Sequence, residues 1–201
     1  MSQTDDLLSQ PTPPRMPLAG HSAFTRWLGR STLRACGWKL VGVLPDEPRA
    51  VMIVAPHSSN WDGFWGFAAK IALGFEVRVL GKAQLFWWPL GPLLRKLGAI
   101  PLDRSSPQGT IGQAIKLLRK SERMWYAITP EGTRKRVEHW KTGFWKIATG
   151  AGVPIIPAYF DYPSRTIGVG PLFWPTDDMQ ADMAALRAWY RPWRGKNRDT
   201  L

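Results

Sequence analysis

The chain has 201 residues, 44% hydrophobic and 21% charged, which suits one compact domain and excludes disorder throughout. Its single cysteine, Cys36, excludes a fold held by disulfides. Lys and Arg number 27 against 15 acidic residues, so the net charge is +12 and the expected partner is anionic: a phosphorylated metabolite, nucleic acid or anionic lipid.

In chain order, residues 1–20 are expected to form a disordered arm, with Pro11, Pro13, Pro14 and Pro17 closely spaced. Asp5 and Asp6 stand where a signal peptide has basic residues, and no apolar stretch follows. The longest charge-free runs, 83–94 and 147–160, are interrupted by prolines and fall short of the roughly 20 residues a membrane span needs. The expectation is a cytoplasmic protein, soluble or bound to a membrane surface. Residues 21–201 are then one domain. It opens with an amphipathic helix at 22–36, with Phe24, Trp27, Leu28, Ser31 and Ala35 on one face and Arg26, Arg30 and Arg34 roughly opposite. Cys36, at its end, reads as a small core residue. The short apolar run 50–55 predicts a strand buried on both faces. There follow a helix at 61–73, strands at 77–80 and 99–102, an amphipathic helix at 108–120 and a strand at 124–128. A helix at 142–151, strands at 154–160 and 165–169 and a last helix capped by Thr176 complete the pattern. The last helix buries Met179, Met183, Leu186 and Tyr190. Such alternation predicts an α/β fold: a single-domain αβα sandwich around a mostly parallel mixed sheet, preceded by the amphipathic helix.

Three predicted strands run into polar segments, and in open α/β sheets ligands bind at the carboxyl ends of strands. The first segment, from Ala55 to Asp62, contains His57 and Asp62 in an H-x4-D pattern. On a regular helix these residues point about 140° apart. With Ser59 or Asn60 as helix cap, His57 lies in the preceding turn and can fold back to Asp62. The carboxylate then fixes a proton on one ring nitrogen and leaves the other as a base. The helix N-terminus offers backbone N–H groups to a developing oxyanion. The alternative is a capping segment with a structural histidine. The second segment, 98–104, ends in Asp103 and Arg104, either an exposed turn or a phosphate-binding guanidinium. The third, 128–136, holds Glu131, Gly132, Thr133 and Arg134 and lacks the glycine spacing and Gly-Lys-Ser/Thr ending of a Walker loop. It is a solvated basic loop or an anion site. A fourth segment, 153–158, is a proline-bounded strand.

Together and in this order, the four segments resemble the four motif blocks of the glycerolipid acyltransferase family, of the lysophosphatidate acyltransferase type. His57 and Asp62 match its H-x4-D block, Gly98 to Arg104 the second block, Pro130-Glu131-Gly132-Thr133-Arg134 the third, and Val153 to Ala158 the fourth. Pro56, Thr129 and Lys135 depart from the residues frequent at those positions. The resemblance implies transfer of a fatty acyl group from an acyl-CoA or acyl-carrier-protein thioester to a hydroxyl of an anionic lysophospholipid. His57 would be the base, Asp62 its partner, and Arg104, Glu131, Gly132, Thr133 and Arg134 would hold the acceptor. No metal or cofactor is expected beyond the thioester, because no Cys/His spacing suggests a ligand set. Ser58 and Ser59 adjoin His57 without a G-x-S-x-G elbow, so direct attack is preferred to an acyl-enzyme. The aromatic face of helix 22–36 and the segment Phe86 to Leu94, read as an apolar interfacial loop, suit peripheral contact with a membrane. Two other classes stay open: a catalytically silent lipid-surface module and a basic nucleic-acid binder, the latter leaving the ordered blocks unexplained.

Overall fold

The structure, a computed structural model, describes residues 6–82, 86–96, 98–102 and 109–197. In chain order the elements are α1 (Ala23–Ala35), β1 (Lys39–Gly42), β2 (Arg49–Ala55), α2 (Asn60–Leu73), β3 (Val77–Lys82), α3 (Leu90–Lys96) and β4 (Ala99–Leu102). They continue with α4 (Gly109–Lys120), β5 (Met124–Ile128), α5 (Gly143–Ala151), β6 (Ile155–Asp161), β7 (Thr166–Val169) and α6 (Met179–Tyr190). The strands form one seven-stranded sheet in the order β1-β7-β6-β2-β5-β3-β4. All neighbouring pairs are parallel except β6 with β7, so the sheet is mixed and mostly parallel, as the alternation of elements predicts.

The central strand β2 is buried on both faces, which explains its unbroken apolar run. Ala50 and Met52 face a cluster containing Ala69, Ala72 and Leu73 of α2. Val51, Ile53 and Ala55 face the opposite cluster, with Leu118 of α4 and Phe144, Ile147 and Ala148 of α5. The chain leaves β2 through α2 toward β3, in one direction along the sheet. It leaves β5 through α5 toward β6, in the other direction and across the other face. Neighbouring strands whose connections diverge in this way leave a crevice at their carboxyl ends. The loops after β2 and β5 are the ones that carry His57 and Glu131.

Helix α1 is oriented by its small and basic residues, with its aromatics turned outward. Gly29 and Leu33 are buried. A side chain at Gly29 would start 2.9 Å from the backbone nitrogen of Ala72, so glycine permits the close approach of α1 to α2. Arg26 and Arg30 donate to the carbonyls of Leu73 and Ala72, which lie at the C-terminal end of α2, where the helix leaves carbonyls unpaired. Phe24 and Trp27 are 69% and 59% exposed, and Leu28 is exposed beside them.

Several expectations are corrected. Residues 6–20 do not form a disordered arm: Leu7 and Met16 are buried, Leu7 N–H donates to the Leu40 carbonyl, and Leu18 bridges Phe75. Two buried apolar side chains and edge hydrogen bonds hold this proline-rich segment, with its turns, against the domain. Cys36 is exposed, because it caps the end of α1. The apolar segment before residue 94 contains the short helix α3 in place of a continuous loop, with Trp87 and Trp88 exposed ahead of it. Asp178, and not Thr176, caps α6. The Thr176 hydroxyl and amide instead serve the buried Asp182 carboxylate.

Candidate active site

Strand β2 ends at Ala55, and Ser59 caps α2, with its side chain accepting from the Trp61 amide at 3.2 Å. Asp62 completes a capping box by reaching back to the Ser59 amide. This places residues 57–58 in a tight turn above the sheet. The Asp62 carboxylate is 2% exposed and fully engaged. Its Oδ2 accepts from the amides of Ser58 and Ser59, both at 2.8 Å, and lies 3.2 Å from His57 Nδ1. Its Oδ1 accepts from the Tyr162 hydroxyl at 2.5 Å. The backbone reversal thus brings His57 to Asp62 despite their wide angular separation on a helix.

Burial pushes the Asp62 carboxyl up, but the hydrogen bonds from His57, Tyr162 and Ser59 outweigh it and hold the group below its ordinary value of 3.8. Asp62 therefore stays ionised, with its Oδ2 placed to accept from His57 Nδ1. Burial, then the hydrogen bond to Asp62 and the charge of that carboxylate, raise the Tyr162 phenol, so it remains a donor.

The loop after β5 meets this turn from the other side of the crevice. Glu131 is 1% exposed, and its Oε2 accepts from the His57 backbone N–H at 2.8 Å. Its carboxylate thereby braces the histidine backbone. Gly132 has φ +65°, a backbone conformation that calls for glycine, and lies against the end of the flexible Lys141 side chain. Thr133 and Arg134 lie on the exposed continuation of this loop. Arg104 lies outside the described residues. Of the backbone donors at the start of α2, the Ser58 and Ser59 amides bind Asp62 and the Trp61 amide binds Ser59 Oγ.

His57, Asp62 and Gly132 line a cavity of about 790 Å³, a size typical of ligand pockets. Its walls are chiefly apolar: Phe67 and Leu73 of α2, Val54 and Ala127 of the sheet, Phe144 of α5. Gly63 and Gly66 open the α2 wall, and Lys70, ion-paired with Glu76, stands in it farther along the helix. Sequence reasoning missed Tyr162, Lys70 and Lys141 as site-lining or site-supporting residues, since none stands in a local pattern with His57.

A model of the acyltransferase family matches residues 42–161, from the end of β1 to the end of β6. The chain belongs to the acyltransferase family. Among similar proteins of this family, the 1-acyl-sn-glycerol-3-phosphate acyltransferase of Streptococcus pneumoniae is 31% identical over 134 residues, 63% of this chain and 47% of that protein. The protein of the same name from Escherichia coli is 34% identical over 126 residues, 59% of this chain and 50% of that protein. The chain spans about half the length of these curated relatives. The solved 1-acyl-sn-glycerophosphate (LPA) acyltransferase PlsC from Thermotoga maritima shares the fold, with a TM-score of 0.59 at 16% identity over 83% of this chain and 75% of that one. The dyad and the Glu131 brace fall inside the matched acyltransferase segment, whereas Tyr162 follows its last residue.

Proposed function

We propose that the chain transfers a fatty acyl group from an acyl-CoA or acyl-carrier-protein thioester to the hydroxyl of a lysophosphatidate-type acceptor. The observation that carries this reading is the His57–Asp62 pair, 3.2 Å apart, at a large apolar cavity. The acceptor oxygen attacks the thioester carbonyl carbon as His57 Nε2 removes its proton. The C–S bond then breaks, and the imidazolium returns the proton to the leaving thiolate. Asp62 stabilises the imidazolium between these steps. Neither adjacent serine is presented as a nucleophile, because Ser58 is buried and accepts a hydrogen bond from the Asn197 amide and Ser59 Oγ serves as helix cap. In this reading the acyl chain lies against the apolar walls, and Arg104, Thr133 and Arg134 serve the anionic end of the acceptor from the loops at the strand ends. The relatives' names supply the acceptor class. The reaction as proposed draws on no metal and no cofactor other than the thioester.

A panel of lysolipid acceptors with acyl-CoA and acyl-carrier-protein donors, read by mass spectrometry, tests the reading. The expected result is conversion of lysophosphatidate to its diacyl product. Liposome binding without transfer to any acceptor would instead favour the silent lipid-surface module, and salt-sensitive nucleic-acid binding without transfer the third class.

The cavity supports a sharper expectation. A Cβ at Gly63 meets nothing within 4 Å, so a leucine there enters open space at the cavity mouth. Removing a helical glycine also relieves a conformational cost of roughly 0.5–1 kcal/mol. Gly63→Leu is therefore expected to hold or raise Tm while kcat/KM for long-chain donors falls about tenfold, the equivalent of about 1.4 kcal/mol. Unchanged long-chain kinetics in a stable Gly63→Leu protein would place the acyl chain elsewhere.

The proposed setting is the cytoplasmic face of a membrane. No helix among the described residues is long and apolar enough to cross one. The outward face of α1, with Phe24, Trp27 and Leu28, and the exposed Trp61 and Phe64 of α2 supply an apolar surface, while the net charge of +12 favours anionic headgroups. The protein is expected to co-sediment with anionic phospholipid vesicles, and a Phe24→Ser/Trp27→Ser variant to remain largely in the supernatant. Equal sedimentation of the two would remove α1 from the contact.

A further inference from the structure

The segment after α6 returns to the carboxyl end of the sheet and holds both members of the dyad from outside the segment matched to the family. On one side the Asn197 side-chain amide donates to the Ser58 carbonyl at 2.8 Å, and its backbone N–H donates to Ser58 Oγ at 3.2 Å. Ser58 is 3% exposed and directly follows His57. On the other side the Tyr162 N–H donates to the Arg194 carbonyl at 2.9 Å, and the Arg194 N–H donates to Asp161 Oδ1 at 3.1 Å. Tyr162 is the residue whose hydroxyl holds Asp62. Two ring contacts also fasten the segment: Trp193 stacks on Tyr159 with centroids 3.7 Å apart, and the Lys196 ammonium lies 5.0 Å above the Trp61 ring.

The two grips bear on different atoms of one hydrogen bond. The Ser58 grip sets the backbone from which the imidazole hangs. The Tyr162 grip sets the phenol that fixes the rotation of the Asp62 carboxylate. We infer that residues 193–197 form a clasp that registers His57 against Asp62, with Asn197 as a positioning residue that acts through Ser58. The inference rests on the dyad reading above. It adds that the matched acyltransferase segment lacks a residue on which the alignment of its own base depends.

The full-length Asn197→Ala, Asn197→Asp and Asn197→Gln proteins test this. Aspartate keeps the shape of asparagine without the N–H donor, and glutamine restores the donor on a longer arm. One readout is independent of turnover: the side-chain nitrogen resonances of His57, which report the ring tautomer. The clasp predicts a single Nδ1–H tautomer in the wild type and the Gln variant, and a tautomer mixture in the Ala and Asp variants. The second readout is kinetic. Loss of one positioning hydrogen bond is expected to lower kcat about tenfold in the Ala and Asp variants, with KM for donor and acceptor within about twofold and Tm little changed. Glutamine is expected to recover most of kcat. An unchanged tautomer and kcat in Asn197→Asp would overturn the clasp, as would a loss of kcat that follows Tm in all three variants. If the wild type transfers no acyl group, the acyl-transfer reading fails, and the nitrogen spectra still decide whether Asn197 orders the histidine.

Discussion

His57→Ala is expected to lower acyl transfer by about 10²–10⁴-fold, the range a placed general base contributes. The residual rate reflects what binding alone achieves by bringing donor and acceptor together. The fold is expected to survive, because the supports of this turn do not depend on the ring. The His57 amide still reaches Glu131, and Asp62 keeps the Ser58 and Ser59 amides and the Tyr162 hydroxyl. The measurement is kcat/KM over a pH series together with a thermal melt. A folded His57→Ala protein with wild-type turnover would remove His57 from the mechanism. A variant that has lost the melting transition along with activity would show that the ring carries stability, which its 23% exposed side chain argues against.

Asp62→Asn is the second large effect, and it combines catalysis with stability. Asparagine keeps an acceptor for the Ser58 and Ser59 amides and presents its NH2 toward Tyr162, so the turn retains most of its hydrogen bonds. What disappears is the negative charge that opposes the imidazolium. The expected loss in kcat is about 10²-fold or more, since the base must then charge without its counterion. Asp62→Ala removes the acceptor altogether and leaves buried donors unpaired, at about 1–3 kcal/mol for each such group. It is expected to melt well below Asp62→Asn. The pH dependence has a definite sign. The Asp62 carboxyl lies below 3.8 in the folded protein, so its contribution to stability is present above that value and is lost as pH falls through the lowered value. The Tm advantage of wild type over Asp62→Asn is therefore expected to be full near neutrality and to shrink as pH is taken below 3.8. A constant difference down to pH 2 would mean that the carboxylate is not held in the way described.

Most of the fold was legible because its elements carry their own local signals. The run at 50–55 reads as a doubly buried strand in an α/β chain, and the helix at 108–120 separates an apolar face from a polar one by its periodicity. β1 was missed because Lys39–Gly42 is four residues long and takes its identity from pairing with β7, more than 120 residues away. The outward side of α1 was equally hidden. Amphipathic spacing separates two faces but does not say which one the protein covers, and here Gly29 and the unpaired carbonyls of α2 decide it.

The site shows the same division. His57 and Asp62 stand within one cap, so Ser59 and the turn before it made their meeting predictable. Glu131 was legible as a site residue, whereas its hydrogen bond to the His57 amide was not, because that bond joins residues 74 positions apart. Tyr162 and Asn197 depend on how the end of β6 and the segment after α6 return to the same place, and no spacing encodes that return. Arg104 lies outside the described residues, so the cation expected at the end of β4 remains part of the proposed acceptor site.

The position of β5 has a consequence for synthesis. β2, β3 and β4 all precede it in the chain, yet in the finished sheet β5 lies between β2 and β3. The parallel pairing of β2 and of β3 with β5 therefore depends on a later stretch of chain than either strand. Glu131 follows that strand, so the carboxylate that meets the His57 backbone N–H also comes from the later stretch of the chain.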